Sequence, residues 1–202
     1  MRLILASASP RRAQLLAQIG VAHEVMHAQL PEQRKPGESI AECVQRLAES
    51  KARVVLERVS ARGSTVPAEA GQGSWVLGAD TAVAIDGQML GKPGDEREGL
   101  GMLERLSGRV HEVYSAVALV DAAGVRSALS VSQVRLRPIT AAEARRYWAS
   151  GEPRDKAGAY AIQGLGAVFV QTLQGSYSGV MGLPLFETAQ LLEQAGVPLW
   201  GA

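Results

Sequence analysis

The sequence predicts an α/β fold in which helices flank a mixed central sheet. Short apolar segments typical of buried strands alternate with longer segments of helical periodicity, and hairpin signals are mixed in among them. This mixture favours a sheet with both parallel and antiparallel strands. The length of 202 residues suits a single domain over 1–202, either undivided or with a split lobe.

The first strand and helix together predict an anion site. Residues Leu3–Leu5 indicate a buried strand, which ends at a loop of small residues that contains Ser7 and Ser9. Ser9 is a favourable N-cap, Pro10 is a favourable first helical residue, and Gly20 ends the helix. The amide groups and the dipole at such a helix N-terminus attract anions, so we expect this loop to bind an anion.

Two arginines occupy the first turn of this helix. Arg11 and Arg12 lie where the helix dipole disfavours cations, which suggests that a polyanion normally neutralises them. Arginines are also common on solvated surfaces, and the residue pattern alone leaves both interpretations open.

A long second helix places a lysine on its apolar face. Ser39 and Glu42 form a capping box that predicts a helix continuing to about Val59. The apolar stripe of this helix assigns an inward position to Lys51, so this lysine either extends its amine to solvent or meets a negative group. Residues 60–74 are rich in Gly, Ser and Ala and predict a flexible surface loop.

The next segment predicts one strand and then a two-residue hairpin, over Trp75–Ala79, Thr81–Ile85 and Gln88–Leu90. The dipeptide Asp86-Gly87 between the two arms is a strong hairpin signal. The resulting register places Thr81 opposite Lys92, and therefore places Lys92 beside Asp80. An ordinary surface ion pair, worth less than about 1 kcal/mol, is the alternative interpretation of that proximity.

The remaining elements continue the alternation of helices and strands. They are a helix over about Asp95–Leu106, strands over Glu112–Val120 and Ala128–Leu136, a helix from a Thr140/Glu143 capping box to Gly151, a short strand near Gln171–Leu173 and a helix from Pro184 to Gly196.

Several classes of site and partner are excluded by the sequence. It has neither a G-x-x-x-x-G-K-[ST] phosphate loop nor a G-x-S-x-G nucleophile motif, and the single Cys43 excludes an internal disulfide and a cysteine zinc site. His23 and His27 have helical spacing but lack the frame of a zinc motif. The net charge of +1 argues against nucleic-acid binding, and no apolar run reaches membrane-spanning length, so we expect a cytoplasmic protein.

Cations and carboxylates at the ends of elements remain as candidates for chemistry. The cations could neutralise a polyphosphate, while the carboxylates could bind a divalent metal or activate a water molecule. Phosphoryl hydrolysis needs both kinds of group. The candidates are Arg11, Arg12, Lys51 and Lys92 as cations, with Glu32 and Asp80 as carboxylates.

Short motifs along nearly the whole chain occur in a fixed order. They include Ser7-Ala8-Ser9-Pro10-Arg11-Arg12, Arg46-Leu47-Ala48, Leu77-Gly78-Ala79-Asp80-Thr81, Gly91-Lys92-Pro93, Leu106-Ser107-Gly108, Asp155-Lys156-Ala157-Gly158-Ala159-Tyr160, Ile162-Gln163-Gly164 and Gly175-Ser176-Tyr177. With these motifs the chain resembles the Maf family of nucleotide pyrophosphatases. The resemblance implies the ITPase-like fold of the Maf proteins, with a cleft between two lobes.

The resemblance also implies an activity and assigns roles to residues. The implied enzyme is a nucleotide diphosphatase that cleaves the α–β phosphoanhydride of a nucleoside triphosphate, with a divalent cation (Mg, Mn or Co), and clears non-canonical or excess nucleotides. Asp80 corresponds to the proton acceptor, which would share the metal with Glu32. The positions that correspond to phosphate-binding and catalytic cations are Arg12, Lys51 and Lys92, with Ser7 and Ser9 in the phosphate loop.

Substrate choice within the family corresponds to three positions, which here are Arg11, Thr81 and Gln163. This set resembles the branch that acts on dTTP and UTP, as against the branch that favours 7-methyl-GTP. The competing hypothesis is a non-catalytic, nucleotide-responsive regulator of septum formation, which would not need Asp80 as a base. The implied partner is a nucleoside triphosphate, with no nucleic acid or membrane, and the sequence leaves a homodimer open.

Overall fold

The computed structural model describes residues 2–61 and 74–201. Within these ranges the elements are β1 (Arg2–Ala6), α1 (Pro10–Gln18), β2 (Glu24–Val25), α2 (Ile40–Ala61), β3 (Ser74–Ile85), β4 (Gln88–Leu90), α3 (Glu96–Leu106), β5 (Val110–Val120), β6 (Val125–Leu136), α4 (Ala141–Ala149), β7 (Val170–Gln174), α5 (Tyr177–Met181) and α6 (Leu185–Gln194). Short 3₁₀ turns occupy Glu152–Asp155, Ala157–Ala159 and Leu165–Phe169.

The described strands form one seven-stranded sheet with the order β2-β1-β3-β5-β6-β7, and β4 pairs with β3. β1 is parallel to both β2 and β3, whereas the β3–β4 and β6–β7 pairs are antiparallel. The predicted α/β fold with a mixed central sheet is therefore confirmed. No helix in the described ranges is both long and apolar enough to cross a membrane.

The chain divides into two compact units, and β3, β5 and β6 each contribute residues to both. The first unit comprises Met1–Asp80, Ser115–Leu129 and Gly182–Ala202. Its core contains apolar side chains from β1, α2, β3 and β5, namely Ile4, Ala6, Ala52, Val55, Val76 and Val120. Burial of these side chains fixes α2 against the parallel part of the sheet.

The second unit comprises Thr81–Tyr114 and Ser130–Met181. Its larger core joins the β3–β4 hairpin, α3, α4 and the 3₁₀ segments, with Val83, Leu90, Leu103, Leu106, Leu136, Tyr147, Tyr160 and Phe169 among the buried members. The segment that follows α4 has little regular structure, and it is held mainly through this core and through side-chain hydrogen bonds to its backbone.

Most helix ends lie where the sequence predicts them. Both capping boxes are formed: the side chain of Glu42 accepts a hydrogen bond from the amide of Ser39 at 2.7 Å, and Thr140 and Glu143 cap α4 reciprocally. Pro184 is the N-cap of α6 and not its first residue. The predicted loop at 60–74 lies mostly outside the described residues, although its first two residues belong to α2 and its last to β3.

The two strands predicted around Asp80 are one continuous strand, β3. Two short elements, β2 and α5, were not predicted, because segments of two and five residues show no periodicity that separates them from loops. The hairpin has the predicted register: Ile85 pairs with Gln88, and the turn residues Asp86 and Gly87 have positive φ angles of 54° and 70°.

The hairpin ladder is shorter than its register predicts. Its last pair is Val83–Leu90, so the predicted Thr81–Lys92 ladder pair is not formed. The chain leaves the sheet at Gly91, whose carbonyl accepts a hydrogen bond from the amide of Gly158 at 3.0 Å instead of continuing the ladder. The placement of Lys92 beside Asp80, which depended on that pair, stays a prediction.

Candidate active site

The loop between β1 and α1 is organised around a buried serine. Ser9 is the N-cap of α1 as predicted, but its side chain makes no capping hydrogen bond. Instead the hydroxyl of Ser7 accepts hydrogen bonds from the Ser9 amide at 3.1 Å and from Arg12 Nη1 at 3.3 Å. The first turn of α1 contains no acidic residue, so no carboxylate of the helix itself compensates the positive end of its dipole at this loop.

Arg12 is fixed at this helix terminus on more than one side. Its Nε donates a 2.7 Å hydrogen bond to the carbonyl of Gly182, in addition to the contact with Ser7. Burial lowers the pKa of the Arg12 guanidinium, while the charges of Asp80 and Glu32 act in the opposite direction. An arginine remains protonated under such conditions, so it carries a positive charge at the loop.

Lys51 projects from the buried face of α2 and has only 7% of its surface exposed. Its Nζ donates to Asp80 Oδ1 at 2.6 Å and lies 2.6 Å from Glu32 Oε1. The sequence left open whether Lys51 extends to solvent or meets a negative group. In the structure it meets two negative groups. A buried ammonium requires such partners, because its desolvation is otherwise costly.

Asp80 lies on β3 and is 8% exposed. Burial raises the pKa of its carboxyl group, and the neighbouring charges of Lys51 and Arg12 oppose that rise. The close approach of α2 to β3 depends on Gly78, because a Cβ there would lie 2.0 Å from the carbonyl oxygen of Ala48. A larger residue would push the helix away from the strand and separate the lysine from the aspartate.

Glu32 lies in the loop that precedes α2, and its side chain is 55% exposed. This loop is anchored by Arg46 of α2, which donates to the carboxylate of Glu38 and to the carbonyl of Gln33 at 3.1 Å. The hydrogen bonds from Arg46 and from the amide of Lys35 lower the pKa of Glu38 to about 2. The anchor thereby holds the segment next to Glu32.

The first unit thus brings Arg12, Lys51, Asp80 and Glu32 together. One oxygen from each of the two carboxylates contacts the ammonium of Lys51. Hard divalent cations also bind carboxylate oxygens. In the described ranges no group of three or more His, Cys, Asp or Glu residues is placed to hold a metal. A metal bound here would therefore need further oxygen ligands from a substrate or from water.

The remaining predicted residues, apart from Arg11 on α1, belong to the second unit. Thr81 lies on β3 and is partly buried, whereas Lys92 and Gln163 are exposed. Gln163 is in a turn between two of the 3₁₀ segments. Lys92 follows Gly91, the residue whose carbonyl accepts from Gly158, so the backbone of the lysine segment is joined to the segment that leads to Gln163.

Some residues that hold these groups in place are not predicted from the sequence. Gly78, Arg46 and Glu38 act within the first unit as described above. Gly78 and Arg46 belong to motifs that the sequence contains, but nothing in local periodicity indicates which distant backbone or loop each would contact. The spacing of Arg46 and Glu38 is compatible with an ion pair. However, Glu38 lies in the loop before α2 and Arg46 lies in the helix, so the pair does not follow from helical periodicity.

Known proteins resemble this chain over nearly its whole length. The model of the family described as Maf-like protein matches residues 2–195. A dTTP/UTP pyrophosphatase of Saccharophagus degradans is 50% identical, with 98% of this chain and 90% of that protein covered. Proteins of the same name from Bordetella avium and Aromatoleum aromaticum are 50% and 48% identical, each with 98% of this chain and 97% of the relative covered.

Proposed function

The chain belongs to the Maf-like protein family, and on that premise we propose that it hydrolyses dTTP and UTP to the nucleoside monophosphate and pyrophosphate. Relatives that carry the name dTTP/UTP pyrophosphatase align over almost its whole length at about half identity. The structural observation that carries the proposal is the buried contact between Lys51 and Asp80, with Glu32 on the same ammonium.

The chemistry of this cluster suits phosphoanhydride hydrolysis. Arg12 and Lys51 supply positive charge for the non-bridging oxygens of a polyphosphate, and the loop before α1 adds amide donors. Asp80 accepts the proton of the attacking water, which is directed at the α-phosphorus, and pyrophosphate leaves. Lys92 is assigned to the phosphates as a further cation, and Ser7 and Ser9 to the loop that receives them.

The carboxylates fit a divalent cation such as Mg²⁺, Mn²⁺ or Co²⁺. Mg²⁺ is usually held by one or two carboxylates together with substrate phosphates, and Asp80 and Glu32 provide that number of protein ligands. When bound, the metal would neutralise charge on the phosphate oxygens and favour an ionised water.

Three residues are assigned to substrate choice, namely Arg11, Thr81 and Gln163. The amide of Gln163 has both a donor and an acceptor, which complement O4 and N3–H of uracil or thymine. These two bases differ only by the methyl group at C5, and one methyl group in an apolar or open pocket changes affinity little. Acceptance of both bases follows from this assignment.

A nucleotide panel tests the proposal. The purified protein is incubated with dTTP, UTP, CTP, dATP, GTP and 7-methyl-GTP in the presence of Mg²⁺, Mn²⁺ or Co²⁺, and the products are separated. We expect pyrophosphate and the monophosphate from dTTP and UTP, at rates well above those for the purine nucleotides. Release of inorganic phosphate with a diphosphate product, or no turnover of either pyrimidine nucleotide, would contradict the proposal.

A further inference from the structure

The turn that carries Gln163 is hydrogen-bonded on its N-terminal side to a buried tyrosine. The hydroxyl of Tyr147, on α4, accepts a hydrogen bond from the amide of Ala161 at 3.0 Å. The same hydroxyl donates to Glu152 Oε1 at 2.7 Å. Tyr147 is 5% exposed, so its hydroxyl forms these contacts inside the protein, where hydrogen bonds are strong and directional.

Glu152 completes the connection on the other side of Gln163. Its Oε2 accepts from the amide of Leu165 at 2.9 Å, and its Oε1 accepts from the amide of Gly166 at 3.0 Å. The tyrosine and the glutamate therefore bind backbone amides before and after the exposed glutamine.

Two glycines make room for this pair. A Cβ at Gly164 would lie 2.0 Å from Glu152 Oε2, and a Cβ at Gly166 would lie 2.6 Å from the hydroxyl of Tyr147. Both distances are too short for a real contact, so the carboxylate and the phenol pack directly against the backbone of the turn. The positions of these two side chains and the conformation of the turn therefore depend on each other.

The protonation states of Tyr147 and Glu152 favour stable hydrogen bonds. Burial opposes ionisation of Glu152, but the hydrogen bonds from Tyr147 and from the amides of Gly166 and Leu165 outweigh it, and the pKa of Glu152 lies below its usual value. Burial and the carboxylate raise the pKa of the Tyr147 hydroxyl. At neutral pH the pair is an ionised acceptor and a neutral donor, which gives short and stable hydrogen bonds.

We propose that Tyr147 and Glu152 are positioning residues for substrate choice, because they hold the backbone of 161–166 so that Gln163 presents its amide to the base. The proposal rests on the proposed function, in which Gln163 reads the O4/N3 edge. The turn itself belongs to neither a helix nor a strand, so its conformation depends on these side-chain contacts. Neither residue contacts the substrate in this scheme.

The ratio of kcat/KM for UTP to kcat/KM for CTP measures the positioning. The two nucleotides differ at the edge that Gln163 is assigned to read, because cytosine has an amino group in place of O4. Tyr147→Phe keeps the ring but removes the hydroxyl, and Glu152→Ala removes the carboxylate. We expect each variant to lower the UTP/CTP ratio about ten-fold, mainly through KM for UTP, with a smaller change in kcat.

A matched control exists in the same unit. The hydroxyl of Tyr114 donates to Glu112 Oε2 at 2.9 Å. This tyrosine–glutamate pair resembles the first in chemistry but lies on β5, away from the turn in sequence. Tyr114→Phe should leave the UTP/CTP ratio at the wild-type value. Loss of folded protein would lower the rates with both nucleotides by the same factor, and therefore would not move the ratio.

A combined variant shows whether the pair acts through the glutamine. If it does, Tyr147→Phe should not lower the ratio further once Gln163→Ala is present. An unchanged ratio in Tyr147→Phe and Glu152→Ala, or an additional loss in the combined variant, would overturn the positioning role. A wild-type protein that hydrolyses UTP and CTP equally would overturn that role but leave the pyrophosphatase activity standing. A wild-type protein inactive on UTP and dTTP would overturn both.

Discussion

The charged cluster of the first unit and the Gln163 turn of the second are held in place by different means. In the cluster, the proposed functional side chains hold one another: Lys51 bonds to Asp80 and contacts Glu32, and Arg12 is fixed by the β1–α1 loop. These residues project from a helix or a strand, or lie in a loop that is anchored to one. Their positions follow from the packing of α2 on the sheet.

The Gln163 turn has no such mutual support. The side chain of Gln163 is exposed. The backbone of the turn is fixed by Tyr147 and Glu152, which have no assigned part in the chemistry. In the turn, the residues that fix the backbone therefore differ from the residue that is proposed to read the base. In the cluster, the charged groups that hold one another are also the groups that are proposed to act on the substrate. Substitutions in the cluster should lower turnover of every nucleotide, and substitutions at the turn should change the choice among nucleotides.

The largest effect is expected from Asp80→Asn, which tests the first half of this comparison. The variant keeps the size of the side chain but loses the proposed base and one of the two proposed metal ligands. We expect kcat to fall about 10²–10⁴-fold with both dTTP and UTP, as measured by steady-state release of pyrophosphate. Because the ammonium of Lys51 still has Glu32 as a partner, the variant should remain folded by circular dichroism.

Nucleotide binding by the same variant separates an enzyme from a regulator. An enzyme that has lost its base should still bind UTP, which calorimetry can measure under conditions where turnover is blocked. Retention of more than about a tenth of the wild-type kcat would mean that Asp80 is not the base. A wild-type protein that binds nucleotides without hydrolysis would favour the regulatory hypothesis.

The next effect in size is expected from Gln163→Glu, which tests the second half. A carboxylate repels O4 of uracil and thymine and no longer donates a hydrogen bond, while it suits the donor groups of a guanine edge. We expect kcat/KM for UTP and dTTP to fall about 10–100-fold, with 7-methyl-GTP falling less or rising. Steady-state kinetics with the three nucleotides measure this change.

Lys92→Ala is the control for that selectivity. Lys92 is assigned to the phosphates, which all three nucleotides share, so its loss should lower their kcat/KM values by a similar factor. Arg12→Ala should behave in the same way. If Gln163→Glu also lowers all three equally, the glutamine supports the phosphate chemistry or the fold, and its assignment to the base is wrong.

The difference between the two regions also explains what the sequence could predict. The apolar stripe of α2 correctly placed Lys51 on the inner face, and a buried lysine must find carboxylates nearby. Capping boxes and the Asp-Gly turn located α2, α4 and the hairpin because these signals act within four residues. The α/β fold with its mixed sheet follows from the same local signals.

Features that depend on contacts between distant segments could not be predicted. Ser7, and not the N-cap Ser9, accepts the loop hydrogen bonds, since the direction of the chain after β1 decides which hydroxyl faces the amide. Gly78 is needed because a carbonyl of α2 lies close to its backbone. Glu152 positions the turn because it binds amides more than ten residues later in the chain. The roles of Gln163, Thr81 and Arg11 came from family resemblance and stay predictions.

The smallest predicted effect concerns a buried histidine. It is an effect on stability and not on turnover. His111 is 2% exposed, and its Nε2 is hydrogen-bonded to the hydroxyl of Tyr160 at 2.8 Å, while its Nδ1 makes no hydrogen bond in the described part of the chain. Burial lowers the pKa of His111 to about 4. The neutral ring is therefore a structural part of the second unit.

The sign of the pH effect follows from this lowered pKa. Between the ordinary value of 6.5 and the value of about 4, the unfolded chain binds a proton at His111 and the folded chain does not. The free energy of unfolding should therefore decrease as the pH falls, by about 2 kcal/mol between pH 7 and pH 5 from this residue. His111→Gln cannot titrate and should lack this component, whereas carboxylates contribute equally to both proteins. Urea unfolding at several pH values measures the difference, and parallel curves for wild type and variant would show that folding does not lower the pKa of His111.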